Sequence, residues 1–228
     1  MKLSIIVPTL DEAPQIAAAL EALAPLRAGG HELIVVDGGS TDGTPALAAA
    51  RADRILPAPR GRARQMNAGA AIATGEALLF LHADTRLPPD AARLVIEALA
   101  RRGWGRFDVR IEGGSPLLAV VAFCMNWRSR LSGIATGDQA MFVRREVFAA
   151  AGGFSDIPLM EDVALSARLK KISPPACLAA RAVTSGRRWE RHGVLRTVLL
   201  MWRLRLSYAL GADPHRLARR YDLGRSAS

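Results

Sequence analysis

The chain is poor in cysteine and in aromatic residues. It has 2 cysteines among 228 residues, and Cys124 and Cys177 lie far apart without metal-ligand spacing around them. This pattern excludes a disulfide-rich scaffold and a cysteine zinc site, and we expect both thiols to be buried in a reduced compartment. Aromatic residues make up 5% of the chain, and no nucleic-acid-binding signature is present. We therefore expect no nucleic-acid partner.

Long uninterrupted hydrophobic segments are also missing. The apolar segment 116–127 is shorter than the roughly 20 residues that span a bilayer, and the segment 194–212 contains three arginines. With Trp202 and Tyr208, the second segment is typical either of an amphipathic helix at an anionic membrane surface or of a packed C-terminal helix. The N-terminal apolar run is too short for a signal peptide. We therefore expect a cytoplasmic protein, with the inner face of the cell membrane as the surface that such an amphipathic helix would contact.

Short apolar runs alternate with alanine-rich segments along the chain. The length of 228 residues suits one domain with a tail. The alternation predicts an α/β fold in which helices flank a mostly parallel sheet. The predicted helices cover residues 15–24, 45–52, 62–73 and 89–101.

Three apolar runs stop at polar segments that contain acids. Fully apolar runs indicate strands buried on both faces, and ligands of open α/β sheets bind at the carboxyl ends of the strands. The acids are therefore predicted to meet at one polar ligand, although turn formation or helix capping explains some of them equally well, Asp42 included. The runs are 3–7, 33–36 and 77–81, and the acids that follow them are Asp11 and Glu12, Asp37, and Asp84.

Positive charge is in excess, with a formal net charge of +10 that is carried almost entirely by arginine. A solvated basic face, phosphate ligands and an anionic membrane are each compatible with this excess. Arg60, Arg62 and Arg64 crowd one loop and the start of a predicted helix. Positive charge and free backbone amides at a helix start would suit a diphosphate.

Six segments together resemble the family 2 glycosyltransferases, which are inverting enzymes with the Rossmann-like GT-A fold. The resemblance covers roughly residues 1–189, and it implies a domain over 1–192 with a donor half (1–110) and an acceptor half (111–192). Residues 193–228 form a basic apolar helical tail. A closer resemblance is to small bacterial members with a final segment like RRWERHG, which are linked to carotenoid or other lipid acceptors. The six segments are SIIVPTLDE, LIVVDGGSTDGT, GRARQMNAGAAIATGE, LLFLHADT, GDQAMFVRRE and the pair Glu161-Asp162.

The resemblance implies a UDP- or GDP-sugar donor and a divalent cation, Mn²⁺ or Mg²⁺. Asp84 takes the place of the last acid of the family's Asp-any-Asp motif, the expected metal ligand, and His82 replaces the first acid. Three roles are open to the imidazole of His82. It ligates the metal, in which case Mn²⁺ would be favoured; it contacts ribose or phosphate; or it packs at the end of the strand. The residues that the resemblance assigns to the donor are Pro8, Thr9, Glu12, Asp37, Arg64, Asn67, Arg188 and Trp189.

The acceptor half carries the implied catalytic residues. Acids at a helix start are favourable with the helix dipole alone, but the family's catalytic base is the second acid of the pair, here Asp162, with Glu161 beside it. The loop Gly137, Asp138 and Gln139 is assigned to the acceptor, a hydroxyl or carboxyl group, and a short apolar strand is predicted directly after it, over residues 140–143. The segment 185–189 resembles a degraded Gln-any-any-Arg-Trp motif with serine in place of glutamine, which argues against processive polymer synthesis.

Two other functions are compatible with the same layout. A binding protein would keep the nucleotide-sugar pocket without transferring sugar. A nucleotidyltransferase shares the α/β arrangement but usually begins with a glycine-rich loop and a lysine after the first strand, and residues 8–12 have neither.

Overall fold

The computed structural model describes residues 1–226, with side chains as far as Tyr221. The strands are β1 (Leu3–Thr9), β2 (Glu32–Asp37), β3 (Arg54–Pro57), β4 (Ala77–Phe80), β5 (Thr85–Arg86), β6 (Trp104–Glu112), β7 (Phe142–Arg144) and β8 (Ala176–Ser185). The helices are α1 (Ala13–Glu21), α2 (Ala24–Ala28), α3 (Thr44–Ala48), α4 (Arg62–Ile72), α5 (Ala91–Leu99), α6 (Leu117–Ser132), α7 (Arg145–Ala150), α8 (Glu161–Ile172), α9 (Arg187–His192), α10 (Val194–Ala209) and α11 (Pro214–Ser226).

The strands form one eight-stranded sheet in the order β3-β2-β1-β4-β7-β6-β8-β5. The N-terminal strands β3, β2, β1 and β4 are parallel, and β6 is parallel to β8. The pairs β4–β7, β6–β7 and β5–β8 are antiparallel, so the sheet is mixed. The predicted α/β fold is confirmed, and each antiparallel pair joins β7 or β8, from the C-terminal part of the chain, to an earlier strand.

The core lies on both faces of the sheet. Alternate residues of a strand point to opposite faces, and one face buries Ile5 and Val7 against α1 and α5, while the other buries Ile6 against α4 and α8. Every residue of β2 is buried. The apolar runs of the sequence were therefore correctly interpreted as strands covered on both faces.

Two local expectations were wrong. Cys124 is exposed and Cys177 is half-buried, because Cys124 lies on the outer side of α6, which faces away from the core. The strand expected at 140–143 begins at Phe142 instead, since Ala140 has a positive φ of 45° that breaks the extended conformation.

The C-terminal helices α10 and α11 pack against each other, and α10 also contacts α6 and α9. Leu204 of α10 is buried with Leu217 of α11 and with Leu159 and Met160, which precede α8. The tail is thus packed onto the domain along one side. Among the described residues, no helix is both long enough and apolar enough to cross a membrane.

Candidate active site

The loop after β2 is organised around the carboxylate of Asp37. Its Oδ2 accepts hydrogen bonds from the backbone N–H of Gly39 (3.0 Å) and of Ser40 (2.9 Å). Its Oδ1 accepts from the hydroxyls of Ser40 (2.5 Å) and Thr9 (3.2 Å). Burial alone would raise the pKa of Asp37, but these hydrogen bonds outweigh it and lower the pKa. Asp37 is therefore an anion at neutral pH, and it fixes the strand ends of β1 and β2 together.

The loops after β1 and β2 are also joined by Asp11 and Asp42. Oδ1 of Asp11 accepts a hydrogen bond from the N–H of Thr41 (2.9 Å), and Oδ2 of Asp42 accepts from the N–H of Ala13 at the start of α1 (2.8 Å). These two acids therefore hold loop backbone in place. Glu12 follows directly after Asp11, so the joined loops fix its position at the edge of the sheet.

Glu12, Asp84 and His82 come together at this edge. Burial raises the pKa of Glu12, and the charge of Asp84 raises it further, while the charges of Arg187 and His82 oppose the shift. The two strand-end acids predicted from the sequence are thus close enough to repel each other. The side-chain amide of Gln15 hydrogen-bonds Glu12, and Arg187 hydrogen-bonds Gln15 in turn.

The short 3₁₀ turn Gly137–Gln139 connects this edge to the acids Glu161 and Asp162. The N–H of Gly137 donates to Oδ2 of Asp162 at 2.9 Å. Next to it, Oδ1 of Asp138 lies 3.4 Å from Nδ1 of His82. Burial alone would raise the pKa of Asp138, but the hydrogen bond and charge of His82, together with Arg188 and Arg62, lower it. Gln139 is fully buried and caps the turn through Thr136, and its assignment to the acceptor remains a prediction.

Glu161 and Asp162 begin α8 and have different surroundings. Glu161 is buried, its Oε1 lies 2.9 Å from Nε of Arg62, and its Oε2 has no hydrogen-bond partner. Burial raises the pKa of Glu161 in spite of Arg62. Asp162 is only half-buried, so of the two acids it is the one that a ligand reaches more easily.

Backbone strain is concentrated around these acids. Within residues 1–226, Asp11, Ala140 and Met160 are the non-glycine residues with positive φ, at 53°, 45° and 69°. Asp11 precedes Glu12, Ala140 follows the 3₁₀ turn, and Met160 directly precedes Glu161. Such conformations cost energy and persist only where the surrounding structure fixes them, most often at functional sites.

Several donor residues expected from the sequence have protein partners. Nε of Arg64 lies 2.7 Å from Oδ1 of Asp156, and the amide of Asn67 makes two hydrogen bonds to the backbone of Phe154. Trp189 packs on the small cluster around Val109, and Arg188 lies over the ring of Tyr221, 5.8 Å from its centroid. Their assignment to the donor remains a prediction.

Two residues were not assigned to the site from the sequence. Arg62, noted there only as one of three crowded arginines, is the partner of Glu161. Gln65, one turn later on α4, donates from Nε2 to the carbonyls of Thr9 (2.7 Å) and Val36 (2.8 Å) and so ties β1 to β2. No pattern in the sequence connects α4 with these partners, which lie far away along the chain.

The acids and the histidine at this edge would suit a divalent cation whose coordination is completed by a bound ligand. Among the described residues, no group of three or more histidine, cysteine or acidic side chains has metal-binding geometry. The mutual repulsion of Glu12 and Asp84 would nevertheless be relieved by a cation near them, with His82 at hand. Mg²⁺ and Mn²⁺ commonly take one or two carboxylates and obtain their remaining ligands from substrate phosphates and water.

Comparison with known proteins identifies the class. Residues 4–114 match the family described as Glycosyl transferase family 2. A PGL/p-HBAD biosynthesis glycosyltransferase of Mycobacterium bovis is 42% identical over 91 residues, which are 37% of this chain and 36% of the relative. An uncharacterized glycosyltransferase of Nostoc sp. is 32% identical over 104 residues, 42% of this chain and 32% of the relative. The matched region thus spans about a third of the length of these curated relatives.

Solved structures agree on the fold. S. aureus TarS 1–349 superimposes with a TM-score of 0.64 at 18% identity, covering 87% of this chain and 64% of that one. The mannosyltransferase PcManGT from Pyrobaculum calidifontis, in complex with GDP-Man and Mn²⁺, gives 0.65 at 22% identity and covers 93% and 66%. Residues 4–114 therefore match the family 2 glycosyltransferases, the family that the sequence resembles, and the chain has the GT-A fold.

Proposed function

We propose that this protein transfers a sugar from a nucleotide-sugar donor to a hydroxyl or carboxyl acceptor with inversion at the anomeric carbon. The observation that carries the proposal is the chain of contacts from the strand ends to α8. Glu12 interacts electrostatically with Asp84 and His82, Nδ1 of His82 lies 3.4 Å from Oδ1 of Asp138, and the neighbouring Gly137 donates to Asp162. One turn would thus join the proposed donor site to the candidate base.

The donor would bind at the carboxyl ends of β1, β2 and β4. Pro8, Thr9, Glu12 and Asp37 lie at this edge. S. aureus TarS was solved with UDP-GlcNAc and PcManGT with GDP-Man, which supports a UDP- or GDP-sugar here. Arg187 and Arg188 follow β8, and positive charge at this position would neutralise a departing diphosphate.

Asp84, with Glu12 and His82, would hold a divalent cation. A glucosyl-3-phosphoglycerate synthase from Mycobacterium tuberculosis with the same fold was solved with Mn²⁺ and UDP, and in another structure with Mg²⁺ and UDP. When bound, the cation would stabilise the negative charge of the leaving nucleoside diphosphate. In this scheme Asp138 would hold the imidazole of His82 in place through its contact with Nδ1.

Asp162 would act as the general base. It would remove the proton from the acceptor hydroxyl while the oxygen attacks the anomeric carbon opposite the diphosphate. Two backbone N–H groups, from Gly137 (2.9 Å) and Val163 (2.7 Å), hold its carboxylate in one orientation. Direct displacement needs no covalent nucleophile. Glu161, held by Arg62, would position the loop that carries Asp162.

The acceptor would approach from the side of α6 and α10, whose outer faces are apolar. Each helix exposes large hydrophobic side chains at helical spacing, and arginines such as Arg196 and Arg203 are exposed beside them. This face would contact an anionic membrane at the inner surface of the cell, which suits a lipid or carotenoid acceptor. The exposed side chains are Leu117, Val120, Phe123, Trp127 and Leu131 on α6, Leu195, Leu199, Trp202 and Leu206 on α10, and Leu210 directly after α10; we call them the apolar face.

The experiment that tests the proposal is calorimetric titration of the protein with a panel of nucleoside diphosphates, with and without Mn²⁺. Metal-dependent binding of UDP or GDP is the expected result. Absence of binding to every member of the panel would contradict the donor site. Binding of donor without transfer to any lipid, carotenoid or sugar acceptor would favour a silent binding protein. Release of pyrophosphate from a nucleoside triphosphate and a sugar phosphate would instead indicate a nucleotidyltransferase.

A further inference from the structure

Two side-chain nitrogen atoms of Arg128, on α6, are buried without a hydrogen-bond partner among the described residues. Its Nε and Nη2 atoms are inaccessible to solvent, and neither has an acceptor among the described residues. The side chain as a whole is half-buried, so part of it still reaches solvent. Burying guanidinium nitrogens without an acceptor is costly, and such groups are generally completed by a ligand, an ion or an ordered water.

A second arginine adds to the charge at this place. Arg205 lies on α10, which packs against α6, and it is half-buried without an ion pair within the described chain. Burial, followed by the nearby charge of Arg205, lowers the pKa of Arg128 to about 10. Burial likewise lowers the pKa of Arg205. Both guanidinium groups are still charged at neutral pH, and they repel each other.

The protein supplies too few anions to compensate this region. Arg106 and Arg130 share the carboxylate of Asp108, with Nη1 of Arg130 at 2.6 Å. Asp162 is the acid whose charge acts favourably on both Arg128 and Arg205. Four arginines therefore face two aspartates, which leaves a surplus of two positive charges.

We propose that Arg128 and Arg205 form a binding subsite for an oxyanion, a phosphate or carboxylate group of the acceptor, beside Asp162. This inference rests on the proposed glycosyl transfer and deepens it by giving the acceptor a chemical class. An anionic group between the two guanidiniums would fill their missing hydrogen bonds. It would also fix the acceptor hydroxyl at a constant distance from the base.

The subsite is distinct from the place of the donor diphosphate. The groups that act most strongly on Asp138 are His82, Arg188 and Arg62, on the side of the strand ends. Asp162 interacts electrostatically with Arg128 and Arg205, and also with Arg62. What sets Arg128 and Arg205 apart is that they lie on α6 and α10, the two helices that carry the apolar face. The oxyanion could belong to a phosphorylated lipid, whose chain would lie on the apolar face, or to a soluble anionic metabolite. Both would present the same anionic group to Arg128 and Arg205.

The test uses inorganic phosphate as the probe, with the donor site filled by saturating UDP or GDP and Mg²⁺. We expect the wild-type protein to bind phosphate and to gain thermal stability from it. Arg128→Met and Arg205→Met should each weaken phosphate binding about tenfold or more, because charge-assisted hydrogen bonds are lost. Arg101→Gln, an exposed arginine at the end of α5, serves as the matched control and should bind phosphate as the wild type does.

The thermal stability without phosphate separates a ligand site from a structural role. A methionine in place of an unpaired buried cation should leave the melting temperature unchanged or raise it. A large fall in melting temperature for both variants, with phosphate affinity unchanged, would overturn the proposal. Loss of phosphate binding when UDP or GDP is present would overturn it too, because the arginines would then belong to the donor site.

Two further probes distinguish the source of the anion. Dodecyl phosphate below its micelle concentration should bind more tightly than inorganic phosphate if a lipid phosphate is the natural group, and Trp127→Ser should remove that advantage. Equal affinity for both probes indicates a soluble anionic acceptor. If nucleoside diphosphates do not bind but phosphate binding still depends on Arg128, the proposed glycosyl transfer would be contradicted. The proposed anion subsite would remain.

Discussion

A Cβ atom at Gly137 would lie 2.5 Å from Cε1 and from Nε2 of the His82 imidazole. Only glycine allows the 3₁₀ turn to approach the ring so closely while its N–H reaches Asp162. Gly137→Ala should therefore displace His82 and weaken metal-dependent nucleoside diphosphate binding about tenfold, with little loss of stability.

The matched control for this variant is Gly114→Ala, where the nearest atom to the added Cβ would be at 3.6 Å. It should bind the nucleotide as the wild type does in the same titration. Unchanged affinity of the Gly137→Ala protein would show that the position of His82 is irrelevant to the donor.

The hydrogen bonds of Asp37 predict a dependence of stability on pH. The pKa of Asp37 is lower in the folded protein than in the unfolded chain, where it is about 3.9. The ionised carboxylate therefore stabilises the fold above the unfolded pKa, and this stabilisation is lost as the pH falls through the folded-state pKa. Asp37→Asn should reduce the free energy of unfolding by about 1–3 kcal/mol at pH 7. The difference should shrink at pH 3. Urea unfolding at both pH values measures it, and an equal difference at both would contradict the assignment.

The donor half was predictable because its signals are local. Buried parallel strands appear as apolar runs, and Asp37 follows its run directly, while Asp84 comes three residues after the end of its own. The antiparallel placement of β7 between β4 and β6 was not predictable, since a three-residue strand carries no periodic signal. Nor was the pairing of Arg62 with Glu161, which depends on tertiary contacts between α4 and α8.

Asp84 should carry the metal dependence. Asp84→Asn should abolish the effect of Mn²⁺ on nucleoside diphosphate affinity, because a neutral amide compensates far less of the cation's charge. His82→Asp should preserve activity and shift the preference towards Mg²⁺. Asp90→Asn, an exposed acid paired with Arg93, is the control and should keep the Mn²⁺ effect. A wild-type protein that stays fully active in excess chelator would show that the metal site is misassigned.

The apolar face should bind anionic vesicles. Trp202 and Phe123 are 69% and 62% exposed, so Trp202→Ser with Phe123→Ser should reduce cosedimentation strongly without unfolding the protein. Leu47→Ser, which is 41% exposed but outside the face, should have no effect. Added salt should weaken binding of the wild type. Equal sedimentation of the double variant and the wild type would place any membrane contact elsewhere.

Removal of the acceptor's proton by Asp162 is the step on which the proposed sugar transfer depends. The most direct test compares donor binding and sugar transfer in Asp162→Asn, with a bacterial lipid extract as the source of acceptors. We predict nearly unchanged affinity for the nucleoside diphosphate and a loss of roughly 10²–10⁴ in transfer rate, with a milder loss for Glu161→Gln and inverted anomeric configuration in the wild-type product. A fully active Asp162→Asn protein, or a product with retained configuration, would contradict the account.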